Sequence, residues 1–130
     1  MIDVATDRMR KEINDGLVEL HHCSVAKLPF DDATFNKIYH CNVYYFWEDR
    51  VGCCRELLRV LKPGGYMVTA VDLQGVSTAV SMGLLNKENA NTENYMTSLR
   101  QSGFTGVRME KHSVGAKNDT YGAIYTYKPR

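Results

Sequence analysis

The beginning of the chain carries apolar side chains at a four-residue step. Ala5, Met9 and Ile13 recur with charged residues between them, and this spacing places them on one face of a helix. Gly16 follows at the point where a helix often ends on a residue in the left-handed conformation. The pattern predicts a helix over residues 2–15.

Two strand-like segments come next, joined by a polar loop. Residues 18–22 alternate between apolar and polar positions, and residues 37–41 form a second segment of strand length. From Trp47 the spacing is helical again, because positions 47, 51, 54, 58 and 61 fall on one stripe. The run Pro63, Gly64 and Gly65 predicts the end of that helix and a tight turn into the next strand.

The second half of the chain predicts a mixture of strands and helices. Residues 66–71 are almost all apolar, which is typical of a strand buried on both faces of a parallel sheet. Residues 74–94 are weakly patterned, and a mobile lid is one interpretation of them. Tyr95, Met96 and Leu99 indicate a helix that Gly103 caps, and strands are predicted over residues 104–111 and 121–127. The order of elements predicts an α/β fold with a mostly parallel sheet and an antiparallel C-terminal strand.

Composition narrows the classes of function. The 130 residues suit a single domain. The 16 Lys and Arg residues nearly balance the 15 Asp and Glu residues, and no basic run follows the pattern of a phosphate-binding surface. Nucleic acid is therefore not a predicted partner. No segment is long and apolar enough for a membrane span, and the charged start is unlike a secretory signal, which predicts a cytoplasmic location.

The cysteines and histidines predict no metal site. All four cysteines are expected to be reduced, since adjacent Cys53 and Cys54 cannot form the spaced pair of a zinc or redox motif. His21, His22 and Cys23 are consecutive on a predicted strand, where neighbouring side chains point to opposite faces. They are therefore not expected to converge on one ion.

Two sequence blocks carry a family resemblance. The first runs from Leu28 to Phe35 (LPFDDATF), and the second runs from Glu56 to Gly65 (ELLRVLKPGG). In this order and at this separation they closely resemble the paired signature of class I S-adenosylmethionine-dependent methyltransferases of the small-molecule type 11 kind. The resemblance covers nearly the whole chain. It implies a Rossmann-like sheet in which the strand at 37–41 pairs with the strand at 66–71, and the last strand lies beside the latter.

The chain also departs from the family pattern at its start. Family members begin with a strand, a glycine-rich turn, a helix and a second strand that ends in an acidic residue, and this segment holds much of the cofactor. These features do not precede the first block, so an N-terminally truncated domain is expected. Without the two central strands, residues 1–22 would be displaced, paired with the open sheet edge, or loosely held. That edge is also a predicted place for self-association or for a partner chain.

The resemblance implies S-adenosylmethionine as cofactor and a site beyond the carboxyl ends of the strands. Ser24 and Val25 would flank the adenine, although a solvated loop serine is the alternative for Ser24. The predicted contacts near the methionine part are Cys41, Asn42, Val43 and Tyr45.

Two residues are the candidates for catalysis. His40 would act as a general base, with a structural histidine as the alternative. Tyr44 would present an aromatic face to the sulfonium cation. Phe46 and Trp47 complete a run of four aromatics, and packing against the following helix is their alternative role.

The predicted function is methyl transfer from S-adenosylmethionine to a small-molecule acceptor by direct in-line displacement. Such a reaction mainly requires aligned reactants in a dry site. The isolated chain is expected to bind the cofactor poorly and to be inactive alone. The competing interpretation is a noncatalytic methyltransferase-like remnant that serves as a binding or interaction module.

Overall fold

The computed structural model of the chain describes residues 2–115 and 119–130. Its elements in chain order are α1 (Ile2–Arg8), α2 (Arg10–Asn14), β1 (Phe35–Cys41), a 3₁₀ turn (Tyr44–Phe46), α3 (Arg50–Val60), β2 (Leu61–Asp72), α4 (Leu73–Ser81), α5 (Lys87–Ala90), α6 (Thr92–Ser102), β3 (Thr105–Val114) and β4 (Asp119–Tyr127). None of the helices in these ranges combines the length and apolar character needed to cross a bilayer.

The strands form one mixed sheet in the order β1-β2-β4-β3. β1 and β2 run parallel, with Ile38 opposite Met67 and His40 opposite Thr69. β4 runs antiparallel to both β2 and β3. The predicted α/β class is confirmed, and the last strand lies beside β2 as the resemblance implied. Among the described strands, the parallel part of the sheet is limited to the β1–β2 pair.

The core lies between one face of the sheet and helices α3 and α6. Met67, Thr69 and Val71 alternate along β2 and are fully buried on that face, as the two-residue period of a strand requires. The core is completed from the helices and β4 chiefly by Cys54, Leu57, Tyr95, Leu99 and Ile124.

Helix α3 ends earlier than the sequence predicted. Asp49 caps its start by accepting a hydrogen bond from the Gly52 N–H at 3.0 Å, and the helix ends at Val60. Pro63, Gly64 and Gly65 lie within β2 instead. A Cβ on Gly65 would lie 2.7 Å from the carbonyl oxygen of Asn36. The glycine therefore allows β1 and β2 to approach, which is the close packing that the sequence indicated.

The buried stripe of α3 also differs from the predicted one. Cys53, Cys54, Leu57 and Val60 are buried, whereas Val51 and Leu58 are half-buried. The helix packs against both the sheet and α6. Its buried face is therefore rotated from the stripe that spacing alone indicated.

The N-terminal segment follows the prediction only in part. The predicted helix is interrupted at Met9, and Gly16 follows α2 with a φ of +76°. The predicted strand over residues 18–22 is wrong, because these residues form no strand and pair with none of the described strands. A strand requires hydrogen bonds from a neighbour, and the described partner of β1 is β2 alone.

The weakly patterned segment after residue 73 is largely helical. α4 begins directly after β2, and α5 and α6 follow it. Asn86 Oδ1 caps α5 by accepting from the N–H groups of Glu88 and Asn89, and Asn91 Oδ1 caps α6 through Asn94 N–H. The asparagines that obscured the pattern are therefore helix caps, a role that this residue type favours.

Arg59 joins the two signature blocks. Its guanidinium donates to the carbonyl oxygens of Leu28 and Phe30 at 3.2 and 2.8 Å and to Asp32 Oδ1 at 2.8 Å. Glu56 pairs with Arg59 at 2.6 Å and accepts from the Leu28 N–H at 2.6 Å. The bond from Arg59, followed by that from Leu28, lowers the pKa of Glu56 to about 2. This cluster fastens the first block onto α3.

Candidate functional site

The carboxyl ends of β1 and β2 lie side by side, because the two strands are parallel. Asn42, directly after β1, connects them. Its backbone N–H donates to the Ala70 carbonyl at 3.0 Å, and its Oδ1 accepts from the Asp72 N–H at 2.8 Å. Its φ of +55° is a left-handed conformation that asparagine tolerates better than most residues. Ligands in open α/β sheets bind at such strand ends.

Two cavities open at this edge on either side of the first turns of α4. The inner pocket, of about 360 Å³, is lined by Asn42, Tyr45, Phe46, Asp72, Gly75, Val76, Ala79, Leu84 and Leu85. The outer pocket, of about 510 Å³, is lined by Asp72, Gln74, Gly75, Thr78, Ala79, Met82, Leu84, Thr120 and Tyr121. Asp72 and Gly75 belong to both pockets.

Asn42 and Tyr45 are the predicted cofactor contacts that line the inner pocket. Tyr45 is half-buried, and its pKa is raised mainly by burial and then by Coulombic interaction with Cys41 and Asp72. Cys41 is exposed, and its Sγ accepts from Asn42 Nδ2 at 3.2 Å. Val43 is 37% exposed beside them. Four of the predicted residues therefore share the end of β1.

Ser24 and Val25 lie in a turn outside both pockets. Ser24 Oγ accepts from the Ala26 N–H at 3.2 Å, and Val25 packs against the core. The structure does not bring these two residues into a pocket with Asn42, and their adenine role stays a prediction.

His40 belongs to a closed polar cluster beneath the site. Its Nε2 lies 2.9 Å from Thr69 Oγ1 and 3.0 Å from Tyr95 Oη, and these two hydroxyls lie 2.8 Å apart. The residue is half-buried, but Nδ1 is shielded from solvent and has no partner among the described residues. Burial lowers the pKa of His40 to about 4. A general base must reach its substrate, so this arrangement favours the structural alternative.

Tyr44 is also directed away from the pockets. It is fully buried, its ring stacks on Tyr95 at 4.3 Å, and its hydroxyl donates to the Ala90 carbonyl at 2.7 Å. Trp47 packs against the His40 ring, whereas Phe46 is exposed and lines the inner pocket. The catalytic roles of His40 and Tyr44 stay predictions that these positions do not support.

Sequence reasoning missed Asp72 and Phe46. Asp72 ends the apolar run of β2, and the rule that sites lie at the carboxyl ends of strands would have selected it. For Phe46, packing against the following helix was the alternative role, and its ring lines the inner pocket instead. The described residues bring together no group of three or more His, Cys, Asp or Glu side chains that could hold a metal ion.

Comparison with known proteins identifies the family. A family model described as "Methyltransferase domain" matches residues 1–69, which is more than half of the 130 residues. The chain belongs to this methyltransferase family. Methyltransferase GfsG of Streptomyces halstedii is 30% identical over 111 residues, which are 78% of this chain and 40% of GfsG. The chain thus spans less than half of that relative.

Solved structures share the fold at lower identity. The [4+2]-cyclase SpnF matches with a TM-score of 0.75 and 19% identity over 98% of this chain and 62% of SpnF. Haemonchus contortus phosphoethanolamine N-methyltransferase 2, in complex with S-adenosyl-L-methionine, matches with a TM-score of 0.73 and 15% identity over 100% of this chain and 41% of the enzyme. The predictions of a class I methyltransferase, of its fold and of S-adenosylmethionine as the family's cofactor are confirmed.

The residues present fit one end of this cofactor. Cys41, Asn42, Val43 and Tyr45 offer a mixed polar and aromatic wall at the end of β1, which suits a methionine chain and a sulfonium group. Ser24 and Val25 form no cavity with that wall. The fit is therefore to the methionine part and does not extend to the adenine.

Proposed function

We propose that this chain is part of an S-adenosylmethionine-dependent methyltransferase domain that methylates a small molecule. The observation that carries the proposal is the inner pocket at the joined ends of β1 and β2. Its volume of about 360 Å³ lies within the range of small-molecule sites. When bound, S-adenosylmethionine supplies a methyl group on a positively charged sulfur for direct transfer to the acceptor.

The residues of this chain have separate roles in the proposal. Asn42 and Tyr45 line the wall shared by cofactor and acceptor, with Cys41 and Val43 beside them. Asn42 also holds the ends of β1 and β2 together through its bond to Asp72. That connection keeps the wall aligned with α4, and alignment is the main contribution that this chemistry requires of the protein.

An NMR titration of the chain with S-adenosylhomocysteine tests the proposal. We expect weak but saturable shifts at the amides of Cys41, Asn42, Val43 and Tyr45, because only one end of the cofactor is contacted. Asn42→Gly should abolish these shifts while keeping the left-handed backbone. Asn36→Ala, an exposed asparagine on β1, is the matched control.

Three outcomes of this titration would contradict our expectations. If the chemical shift changes persist in Asn42→Gly, the cofactor binds elsewhere. If saturating S-adenosylhomocysteine causes no shift change, the noncatalytic binding module is favoured. Sub-micromolar affinity would contradict the expected weak binding and would require further contacts around Ser24.

The proposal extends to the exposed edge strand of the sheet, β1. The outer edge of β1 has no strand partner among the described residues, and Tyr39 on that strand is 68% exposed. We propose that a second copy or a partner chain covers this edge, which sedimentation velocity would detect.

We also propose a cytoplasmic location. The four cysteines are free thiols, and the cytosol keeps thiols reduced. The absence of nucleic acid as a partner remains a prediction.

A further inference from the structure

The charge at the two pockets is unbalanced. Among the residues that the structure describes, Asp72 is the single Asp, Glu, Lys, Arg or His that lines either the inner or the outer pocket. No salt bridge within the described part of the chain involves it. The remaining lining is apolar, aromatic or uncharged polar. A carboxylate with no cation beside it attracts a positively charged group and repels anions.

The carboxylate of Asp72 is held in a defined position. Its Oδ1 accepts from the Gly75 N–H at 3.0 Å and so caps α4, while its own N–H donates to Asn42. A Cβ on Gly75 would lie 2.5 Å from Asp72 Oδ2. Glycine at this position therefore lets the carboxylate lie across the first turn. No hydrogen bond among the described residues uses Oδ2.

Two aromatic rings also line the inner pocket. The rings of Tyr45 and Phe46 are 4.7 Å apart in an edge-to-face arrangement, and Phe46 is 68% exposed. Aromatic faces attract ammonium groups through the ring quadrupole. Val76, Leu84 and Leu85 supply an apolar surface for the carbon skeleton of a ligand.

We infer that the inner pocket binds an acceptor that carries an amine, with Asp72 as the counter-ion of the ammonium group and Tyr45 and Phe46 as its aromatic wall. This inference rests on the proposed function, because it names the acceptor class of that site. A carboxylate or phosphate ligand would meet Asp72 without a compensating cation among the described lining residues. A metal ion would need more oxygen ligands than this one carboxylate provides.

Three small probes of similar shape test the inference by NMR. Phenethylamine is cationic, 2-phenylethanol is neutral and 3-phenylpropionate is anionic. We expect phenethylamine to shift the amides of Asn42, Tyr45, Asp72 and Gly75 saturably. It should bind about two- to fivefold more tightly than 2-phenylethanol, as for one partly exposed ion pair. 3-Phenylpropionate should bind least. Equal binding of the three probes would overturn the inference.

Two matched variants separate charge from folding. Asp72→Asn removes the charge and keeps a good helix cap, so it should bring phenethylamine down to the affinity of 2-phenylethanol. Asp49→Asn makes the same change at the cap of α3, where Asp49 bonds Gly52 as Asp72 bonds Gly75. It should leave binding unchanged, and an equal loss in both variants would overturn the inference.

Competition distinguishes this inference from the proposed function. If S-adenosylhomocysteine displaces phenethylamine, the pocket belongs to the cofactor and the inference fails while the proposed function stands. If phenethylamine binds through Asp72 and S-adenosylhomocysteine does not bind at all, the amine site stands and the methyltransferase proposal for this chain fails.

Discussion

The chain before Tyr44 and the chain after it are held by different means. No described residue before Tyr44 is buried, whereas the buried core residues are Tyr44 and residues after it. α1 and α2 have the apolar spacing of core helices, yet Leu17 beside them is 76% exposed. Apolar spacing is therefore enough to form a helix, whereas burial of its apolar face also requires an apolar surface against which the helix can pack.

A charged cluster is one of the connections between the two regions. Glu56 and Arg59 of α3 hold the loop over residues 28–32 through side-chain and backbone bonds. This loop carries the first signature block. Hydrogen bonds and ion pairs therefore add to the packing of Val25, Leu28 and Ile38 in attaching the early region, whereas fully buried apolar side chains stabilise the later one.

The largest expected contrast is in amide hydrogen exchange, between the β1–β2 ladder and the segment over residues 18–22. Ile38 and Val68 lie in the paired β1–β2 ladder, while Val18 and Leu20 form no strand. We expect Ile38 and Val68 to exchange roughly a thousandfold or more slowly than Val18 and Leu20.

Tyr39 is the internal control for that measurement. Amides alternate between the two edges of a strand, and Asn42 N–H points to Ala70 on β2. Ile38 therefore faces β2 and Tyr39 faces the open edge, where exchange should be fast. Slow exchange of Val18 and Leu20 in a monomer would contradict the contrast, and slow exchange only in a dimer would identify a covering chain.

Truncation of core and N-terminal side chains should differ strongly in stability. Leu99→Ala removes a fully buried side chain and should lower the free energy of unfolding by about 2–5 kcal/mol. Ile13→Ala in α2 should lower it by less than about 1 kcal/mol. Urea unfolding measures both. If Leu99→Ala does not fold, Ile124→Val replaces it, with an expected loss of about 0.5–1.5 kcal/mol in the free energy of unfolding. Equal losses of stability in the two regions would contradict the comparison.

Glu56→Gln should loosen the connection between the regions. The folded-state pKa of Glu56 is about 2, below the ordinary 4.5. The ionised carboxylate of Glu56 therefore adds to the free energy of unfolding above pH 4.5, and this contribution is lost as the pH falls towards 2. In the variant, the free energy of unfolding should depend less on pH between 4.5 and 2. The Leu28 amide should exchange about fivefold faster, which is the effect of one lost hydrogen bond. Glu48→Gln, an exposed glutamate, is the control.

The smallest expected effect concerns His40. Its pKa falls from 6.5 to about 4 because burial disfavours the charged ring. Folded protein should therefore be most stable above pH 6.5 and should lose this contribution as the pH falls from 6.5 to 4. His40→Gln should remove that dependence from the unfolding midpoint, whereas His112→Gln should keep it. An unchanged profile in His40→Gln would show that another group titrates in this range.

Much of the fold was readable from local patterns. The helix capped by Gly103, the two closing strands and the α/β class follow from spacing and turn residues, which act over a few neighbouring positions. The strand over residues 18–22 failed because alternation indicates only that a strand is feasible. Whether it forms depends on a partner strand, and that partner is not adjacent in sequence.

The sequence by itself determined the family, through two blocks whose residues also bind each other in the folded chain, and it predicted a site at the end of β1. Only the tertiary structure decided which side chains face that site. Tyr44 turns inwards because Tyr95, from a distant helix, stacks on it, and His40 does so because Thr69 and Tyr95 bind its Nε2. Asp72 and Phe46 line the inner pocket together with residues of α4, a helix that is distant from Phe46 in sequence. The direction of a side chain depends on neighbours brought together by packing, and local spacing carries no record of them.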